Sequence, residues 1–130
     1  LAALRVGYGI TSPEIVSYLN RIRPPFNVNT LAQKAAVAAL EDQSFVGYAV
    51  SETKKGRLTL YEAFEKLGLK YIKSYTNFIW VETSYQSGEI FQKLLKKGVI
   101  IRPFMDNWIR ITVGTEEENR ALIKSLEEIL

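Results

Sequence analysis

The most informative stretch of this chain is Trp108-Ile109-Arg110-Ile111-Thr112-Val113-Gly114-Thr115-Glu116-Glu117-Glu118. Apolar and polar side chains alternate through its first half, which predicts a strand that buries one face. Thr115 and Glu118 then match a capping box, and the three glutamates suit the positive end of a helix. We therefore expect a strand that passes directly into a helix.

The residues on either side of this unit extend the same mixed pattern. Short apolar stretches predict strands over 71–73, 78–82 and 99–101, and breaker residues predict a turn over 103–107. An amphipathic stretch predicts a helix over 88–97. The resulting order, strand–strand–helix–strand–strand–helix, predicts an α+β fold in which a mostly antiparallel sheet is covered by helices on one face.

The first 42 residues predict a different arrangement. Alternation over 4–10 predicts a strand in which two glycines leave room for a close approach. A short helix is expected over 13–22, and a proline-rich loop follows it. Thr30, with Gln33, is the expected N-cap of an alanine-rich helix that we expect to be buried. The first strand has no nearby partner, so we assign residues 1–42 to the end of a larger domain.

A long helix over 43–67 is expected to connect this part to the α+β part. Its middle, 51–57, is expected to be polar and exposed, and Gly56 should weaken it by about 1 kcal/mol relative to alanine. We take residues 43–130 as a smaller second domain entered by this helix. The aromatic side chains expected in the core are Tyr61, Phe64, Tyr71, Phe78, Trp80 and Phe91.

The composition excludes several kinds of site. The chain has no histidine and no cysteine, so a histidine-based triad, a thiol nucleophile and nearly every zinc site are excluded. Aspartate occurs only at Asp42 and Asp106, and no carboxylate cluster resembles a calcium loop. We predict no metal site, and any catalysis must come from Lys, Arg, Tyr or a cofactor.

Charge and hydropathy argue against nucleic-acid and membrane partners. The net charge is +3, and the basic excess lies around Lys54, Lys55 and Arg57, which we interpret as a solvated helix face. No apolar run is long enough to span a membrane and no signal peptide is visible, so the cytoplasm is the expected compartment. Because the chain begins with Leu1 inside a structured pattern, we expect a piece of a longer protein, with Leu1 at the truncation point.

Three arginines in or beside predicted strands, Arg5, Arg102 and Arg110, are the candidate binding residues. An arginine in a strand is most often a solvated residue on the polar face of a sheet. The alternative is an anion site, because the planar guanidinium can hold a carboxylate or phosphate through two parallel hydrogen bonds. The spacing of the three residues leaves both interpretations open.

Four segments together carry a resemblance to a known family. They are Leu1-Ala2-Ala3-Leu4-Arg5-Val6-Gly7-Tyr8, Arg23-Pro24-Pro25-Phe26-Asn27-Val28-Asn29, Ile101-Arg102-Pro103 and Ile109-Arg110-Ile111-Thr112-Val113-Gly114-Thr115. In order and approximate spacing they resemble the histidinol-phosphate aminotransferases, which are fold-type-I enzymes that depend on pyridoxal phosphate. The resemblance covers essentially the whole chain. It implies the end of the large cofactor domain followed by the whole small domain.

The resemblance also implies a role for each arginine. Arg5 would hold the cofactor phosphate, Arg110 the α-carboxylate of the substrate, and Arg102 would lie near the distal phosphate of the substrate. The implied small-molecule substrates are L-histidinol phosphate, a phosphorylated amino alcohol, and 2-oxoglutarate, which becomes glutamate. The residues expected at a homodimer interface, near the partner subunit's active site, are Pro25, Phe26, Asn27 and Asn29.

The chain departs from the family pattern in two ways. Position 3 is Ala where the family usually has Gly, a small change that should be tolerated. The Schiff-base lysine, and the aspartate that pairs with the pyridine nitrogen, would lie before Leu1, so no catalytic residue is assigned here and these residues alone are expected to be inactive. Three alternatives stay open: another aminotransferase of this fold, for example for an aromatic amino acid; a relative of threonine-phosphate decarboxylase; and a non-catalytic α+β binding module.

Overall fold

The order of helices and strands follows the sequence signals in the second half of the chain and departs from them in the first. The structure, a computed structural model, describes residues 2–130, so the interpretation of Leu1 as a truncation point lies outside the described residues. In chain order the elements are a 3₁₀ turn Ala2–Leu4, α1 Pro13–Ile22, α2 Thr30–Glu41, α3 Gln43–Lys66, β1 Lys70–Ile72, β2 Phe78–Glu82, α4 Ser87–Lys96, β3 Arg102–Phe104, β4 Trp108–Thr112 and α5 Glu116–Glu127. The chain divides into two compact units, one that ends at Gly47 and one that covers Tyr48–Leu130.

The second unit is built on a four-stranded antiparallel sheet in the order β1-β2-β4-β3. In its two central strands Ile79 lies opposite Ile111 and Val81 opposite Ile109, and all four side chains are buried. The helices α3, α4 and α5 contribute to the same core Leu60, Phe64, Ile90, Leu94, Leu122 and Leu126. Helices therefore cover one face of an antiparallel sheet, which is the predicted α+β fold.

The strand predicted over 99–101 is wrong, because the chain is still leaving α4 there. Gly98 has φ +78°, and the N–H of Val99 donates back to the carbonyl of Leu94 at 3.0 Å, which closes the C-terminal end of the helix. Ile101 is buried, but pairing with β4 begins only at Arg102. The third strand is therefore shifted towards the C-terminus and includes part of the predicted turn.

The strand predicted over 4–10 is also wrong. Residues 2–4 form the 3₁₀ turn, Arg5 has φ +53°, and 6–12 adopt no regular structure. A strand requires a partner for its backbone N–H and C=O groups. Within residues 2–130, no strand of the sheet pairs with this stretch. The first unit is therefore helical, with an irregular segment before α1.

The two helices wholly inside the first unit begin on side-chain caps. The hydroxyl of Ser12 accepts from the N–H of Ile15 at 3.4 Å at the start of α1. Asn29, not the predicted Thr30, caps α2, because its Oδ1 accepts from the N–H of Ala32 at 2.8 Å. Of the described side chains in α2 only that of Ala32 is buried, so the prediction of a buried alanine-rich helix is wrong.

The helix α3 has nearly the predicted bounds, and Ser51, Glu52, Lys54 and Lys55 in its middle are exposed as expected, but Gly56 and Arg57 are not. Gly56 is buried, and a Cβ at this position would lie 2.6 Å from Cγ1 of Val113 and 2.8 Å from Nδ2 of Asn119. Arg57 donates to the carbonyl of Thr76 at 2.6 Å and so ties the loop before β2 to the helix. Gly56 and Arg57 therefore contact the residues that follow β4 and precede β2, respectively.

Candidate functional site

The sheet brings two of the three candidate arginines together. In the antiparallel register Ile72 lies opposite Trp80, Trp80 opposite Arg110, and Arg110 opposite Arg102. These residues form one row across the sheet, on the face that the helices of the core do not cover, because side chains alternate between faces. We call this face, with Phe78 and Phe104 added, the arginine face. Directly opposite residues have Cβ atoms about 4.5–5.5 Å apart, so the two arginines emerge side by side.

Arg110 is the more enclosed of the two arginines. Its side chain is half-buried, whereas Arg102 is exposed. The Cζ atom of Arg110 lies 5.1 Å from the ring centre of Phe78. Its Nε is buried and has no hydrogen-bond partner among residues 2–130. Since an unpaired buried donor raises the free energy of the folded state, this atom favours the binding of an anionic acceptor.

Aromatic rings form the surface beside Arg110. The Phe78 and Trp80 rings meet edge to face at 6.2 Å, and the Trp80 and Phe104 rings are 4.6 Å apart. The prediction that Phe78 and Trp80 belong to the core is wrong, because Ile79 and the other alternate residues of β2 take the core face. The rings instead give the arginine face an apolar aromatic floor beside the guanidinium of Arg110.

The hairpin that carries both arginines is held at its turn by Thr83 and by Ser87, the first residue of α4. Ser87 donates its N–H to the carbonyl of Asp106 and its hydroxyl to the carbonyl of Met105, both at 2.7 Å. The N–H of Thr83 donates to the carbonyl of Asn107 at 2.8 Å. Ser87 and Thr83 are buried, while Met105 has φ +51°, an unfavourable conformation for a residue other than glycine. These bonds fix the pairing that sets Arg102 opposite Arg110.

The far end of β4 is fixed by the predicted capping box. The hydroxyl of Thr115 accepts from the N–H of Glu118 at 3.3 Å, and the Thr115 N–H donates to the Glu118 carboxylate at 2.7 Å. The backbone N–H of Thr115, and then its hydroxyl, hold the pKa of Glu118 below its ordinary value. The buried Asn119 bonds both the N–H and the carbonyl of Gly114 at 3.0 Å. The turn from β4 into α5 therefore has its polar groups satisfied.

The remaining candidate residues lie in the first unit. Arg5 is exposed and has φ +53°. Pro25 and Phe26 are exposed, and Phe26 has φ +55°. Asn27 accepts a 3.5 Å hydrogen bond from a neighbouring arginine, whereas Asn29 caps α2 and so contributes to the helix itself. The binding roles of these residues stay predictions.

Two negative findings concern the described residues alone. Within 2–130, no cluster of three or more acidic side chains is placed to hold a metal ion. No helix in the same range is both long enough and apolar enough to cross a membrane.

Comparison with known proteins gives the family. The sequence model of the family described as aminotransferase class I and II matches residues 1–126. The chain belongs to the class I and II aminotransferases. Among the curated relatives of this aminotransferase chain, the histidinol-phosphate aminotransferases of Moorella thermoacetica and Caldicellulosiruptor saccharolyticus are 50% and 49% identical to it and cover all of it. The chain spans 35% and 37% of the length of these two relatives.

A solved structure gives the same relationship for the fold of this aminotransferase chain. The histidinol-phosphate aminotransferase from Sinorhizobium meliloti, solved in complex with pyridoxal-5'-phosphate, superposes with a TM-score of 0.80 at 25% identity. The match covers 100% of this chain and 39% of the neighbour. The residues that match this one structure therefore come from both units of the chain.

Proposed function

We propose that the protein carrying this chain is a histidinol-phosphate aminotransferase, a pyridoxal-phosphate enzyme that moves an amino group between L-histidinol phosphate and 2-oxoglutarate in histidine biosynthesis. The observation that carries this proposal is the pairing of Arg102 with Arg110 on one sheet face, in a chain half identical to relatives of that name. Both substrates end in anionic groups. A site for them therefore needs guanidinium groups held in fixed positions.

The surroundings of the two arginines support separate roles. Arg110 is half-buried and has a buried donor without a partner, so it has the most to gain from a carboxylate that accepts two parallel hydrogen bonds. Arg102 is exposed beside it and would contact the phosphate end of histidinol phosphate. The aromatic floor next to both would carry the apolar part of the substrate.

The chain's residues also fit the cofactor of this family. Pyridoxal phosphate, when bound, supplies a ring that accepts electrons from the substrate. We assign its phosphate to Arg5, whose guanidinium has the chemistry for a phosphate and is exposed. The backbone that follows is open, since a Cβ built at Gly7 or Gly9 meets no heavy atom within 4 Å. We assign the catalytic lysine to none of these 130 residues.

We further propose a homodimer in which the loop 24–29 contacts the partner subunit. Phe26 supports this role, because its ring is fully exposed on a backbone with φ +55°. A large exposed apolar side chain in an unfavourable conformation is typical of a surface that binds something. Pro25 stiffens the loop, and Asn27 and Asn29 would add polar contacts. A cytoplasmic location and a domain division after residue 42 belong to the same proposal.

The test is a panel of amino donors given to the full natural protein that contains this sequence, with 2-oxoglutarate as acceptor. Histidinol phosphate should exceed phenylalanine in kcat/KM by roughly tenfold or more, because a site built for a phosphate loses charge-assisted hydrogen bonds when the smaller, singly charged carboxylate of phenylalanine takes its place. A preference for phenylalanine would instead favour an aromatic aminotransferase. Release of CO₂ from threonine phosphate would favour the decarboxylase, and a lack of any turnover would favour a binding module.

A further inference from the structure

We propose that Phe78 is a positioning residue for Arg110. The ring of Phe78 fixes the plane of the Arg110 guanidinium, which receives the anionic end of the substrate. The inference rests on the proposed function, because it concerns the arginine assigned there to the carboxylate. It goes further by naming the side chain that makes this arginine a rigid receptor.

The sheet register places the two side chains within reach of each other. Phe78 lies opposite Thr112, so Arg110 is its diagonal neighbour on the same face. Diagonal neighbours are about 7–8 Å apart at the backbone, a distance that a long side chain and an aromatic ring can span. The Cζ of Arg110 lies 5.1 Å from the ring centre, which is within the range of a cation–π interaction. Arg110 therefore leans along the sheet and over the ring.

The ring orients Arg110 without neutralising it. The ion pairs within residues 2–130 involve other cations, namely Lys55, Lys70, Lys93, Lys97 and Arg120. A carboxylate partner would orient the guanidinium but would also compete with the substrate for its donors. An aromatic face attracts the cation through its quadrupole and accepts no strong hydrogen bond. None of these ion pairs uses the guanidinium of Arg110, so its terminal nitrogens are left for a ligand, while its buried Nε has no partner.

Phe78 is itself held in place from two sides. Its ring and that of Trp80 pack edge to face, with their centres 6.2 Å apart. Its N–H donates to Oγ1 of Thr76 at 3.3 Å, and the carbonyl of Thr76 accepts from Arg57 on α3. The ring is therefore anchored both to the sheet and, through the preceding loop, to the longest helix of the second unit. A ring fixed in this way can fix the cation that lies on it.

The experiment measures the Kd of glutarate, a dicarboxylate that lacks the reacting group, by calorimetry on the full natural protein. Phe78→Leu should weaken binding by roughly fivefold to tenfold, as expected when a half-buried cation–π contact is lost. Phe78→Tyr should bind within about twofold of the original protein, because it keeps the π face. Trifluorophenylalanine at position 78 keeps the shape, withdraws electrons from the ring, and should weaken binding even if the leucine variant folds poorly.

Phe91→Leu is the matched control, since it makes the same change at a half-buried ring that packs against the helical core. It should lower the unfolding midpoint and leave the Kd of glutarate unchanged. The inference is overturned if Phe78→Leu or the trifluoro variant binds glutarate as tightly as the original protein, or if Phe91→Leu weakens binding equally. If the original protein does not bind glutarate, the carboxylate site of the proposed function is wrong as well. If it binds glutarate and neither change at Phe78 alters the Kd, only this inference is wrong.

Discussion

Replacing Gly56 with alanine tests how α3 packs against the segment that follows β4. In the middle of a helix, alanine favours the folded state by about 1 kcal/mol over glycine. The structure reverses this expectation, because the new Cβ would lie 2.6 Å from Cγ1 of Val113 and 2.8 Å from Nδ2 of Asn119. Carbon atoms in good contact are about 3.5–4.0 Å apart, so one of the two neighbours must move.

Neither neighbour can move without a loss of stability. Val113 packs against the hydrophobic core, and Asn119 is buried with its amide bonded to both backbone groups of Gly114. Overpacking of this kind costs about 1–3 kcal/mol, and weakening one hydrogen bond of Asn119 costs about 1 kcal/mol more. After the gain in helix propensity is subtracted, Gly56→Ala should destabilise the chain by about 1–3 kcal/mol.

Urea unfolding followed by tryptophan fluorescence measures this difference, since both tryptophans, Trp80 and Trp108, lie in the sheet of the second unit. The matched control is Gly47→Ala in the same helix, where the added Cβ meets nothing within 4 Å. The control should gain up to about 1 kcal/mol, so the two variants should differ by about 1–4 kcal/mol. If Gly56→Ala proves as stable as Gly47→Ala, the packing argument is refuted.

Three further predictions use the same chain. Thr115→Ala removes the N-cap of α5 and should lower the free energy of unfolding by about 1 kcal/mol; an unchanged urea midpoint would contradict the role of the capping box. Because the Thr115 backbone N–H lowers the pKa of Glu118, this carboxylate stabilises the fold above its unfolded pKa and loses its effect as the pH falls through the folded one. Glu118→Gln should therefore be less stable near neutral pH and equal to the original chain in acid, and a gap that persists in acid would exclude this cause. The 130-residue polypeptide alone, mixed with pyridoxal phosphate, histidinol phosphate and 2-oxoglutarate, should give no glutamate, and measurable glutamate would refute the assignment of the lysine.

The fold of the second unit could be predicted because its signals are local. The alternation around Ile109 and Ile111, the capping box of Thr115 and the glycine after α4 each act within a few residues, and each had the predicted effect. The strand predicted over 4–10 is wrong because its formation depends on a long-range contact. Alternation indicates a chain that can form a strand, but a partner strand decides whether it does, and that partner is a long-range property.

The candidate site, too, could be predicted from the sequence only in part. Arg102 and Arg110 could be named as anion-binding candidates from residue chemistry, but their pairing depends on the register between β3 and β4. Phe78 was missed, because an aromatic residue in a strand is most often buried in the core. The signal that could have identified it is parity, since Phe78 shares its face with Trp80 and not with Ile79. The role of Gly56 was missed too, because helix propensity contains no information about what lies against the helix.

The central claim is that Arg110 and Arg102 hold the anionic ends of the two substrates. The most direct test is the KM of each substrate for the full natural protein and its Arg110→Lys and Arg102→Lys variants, with Arg120→Lys, an exposed arginine of α5, as the control. Lysine keeps the charge but not the two-pronged geometry, so Arg110→Lys should raise the KM for 2-oxoglutarate by roughly tenfold or more. Arg102→Lys should mainly raise the KM for histidinol phosphate, and the control should change neither. If Arg110→Lys leaves both KM values within about twofold of those of the original protein, the account of the site is wrong.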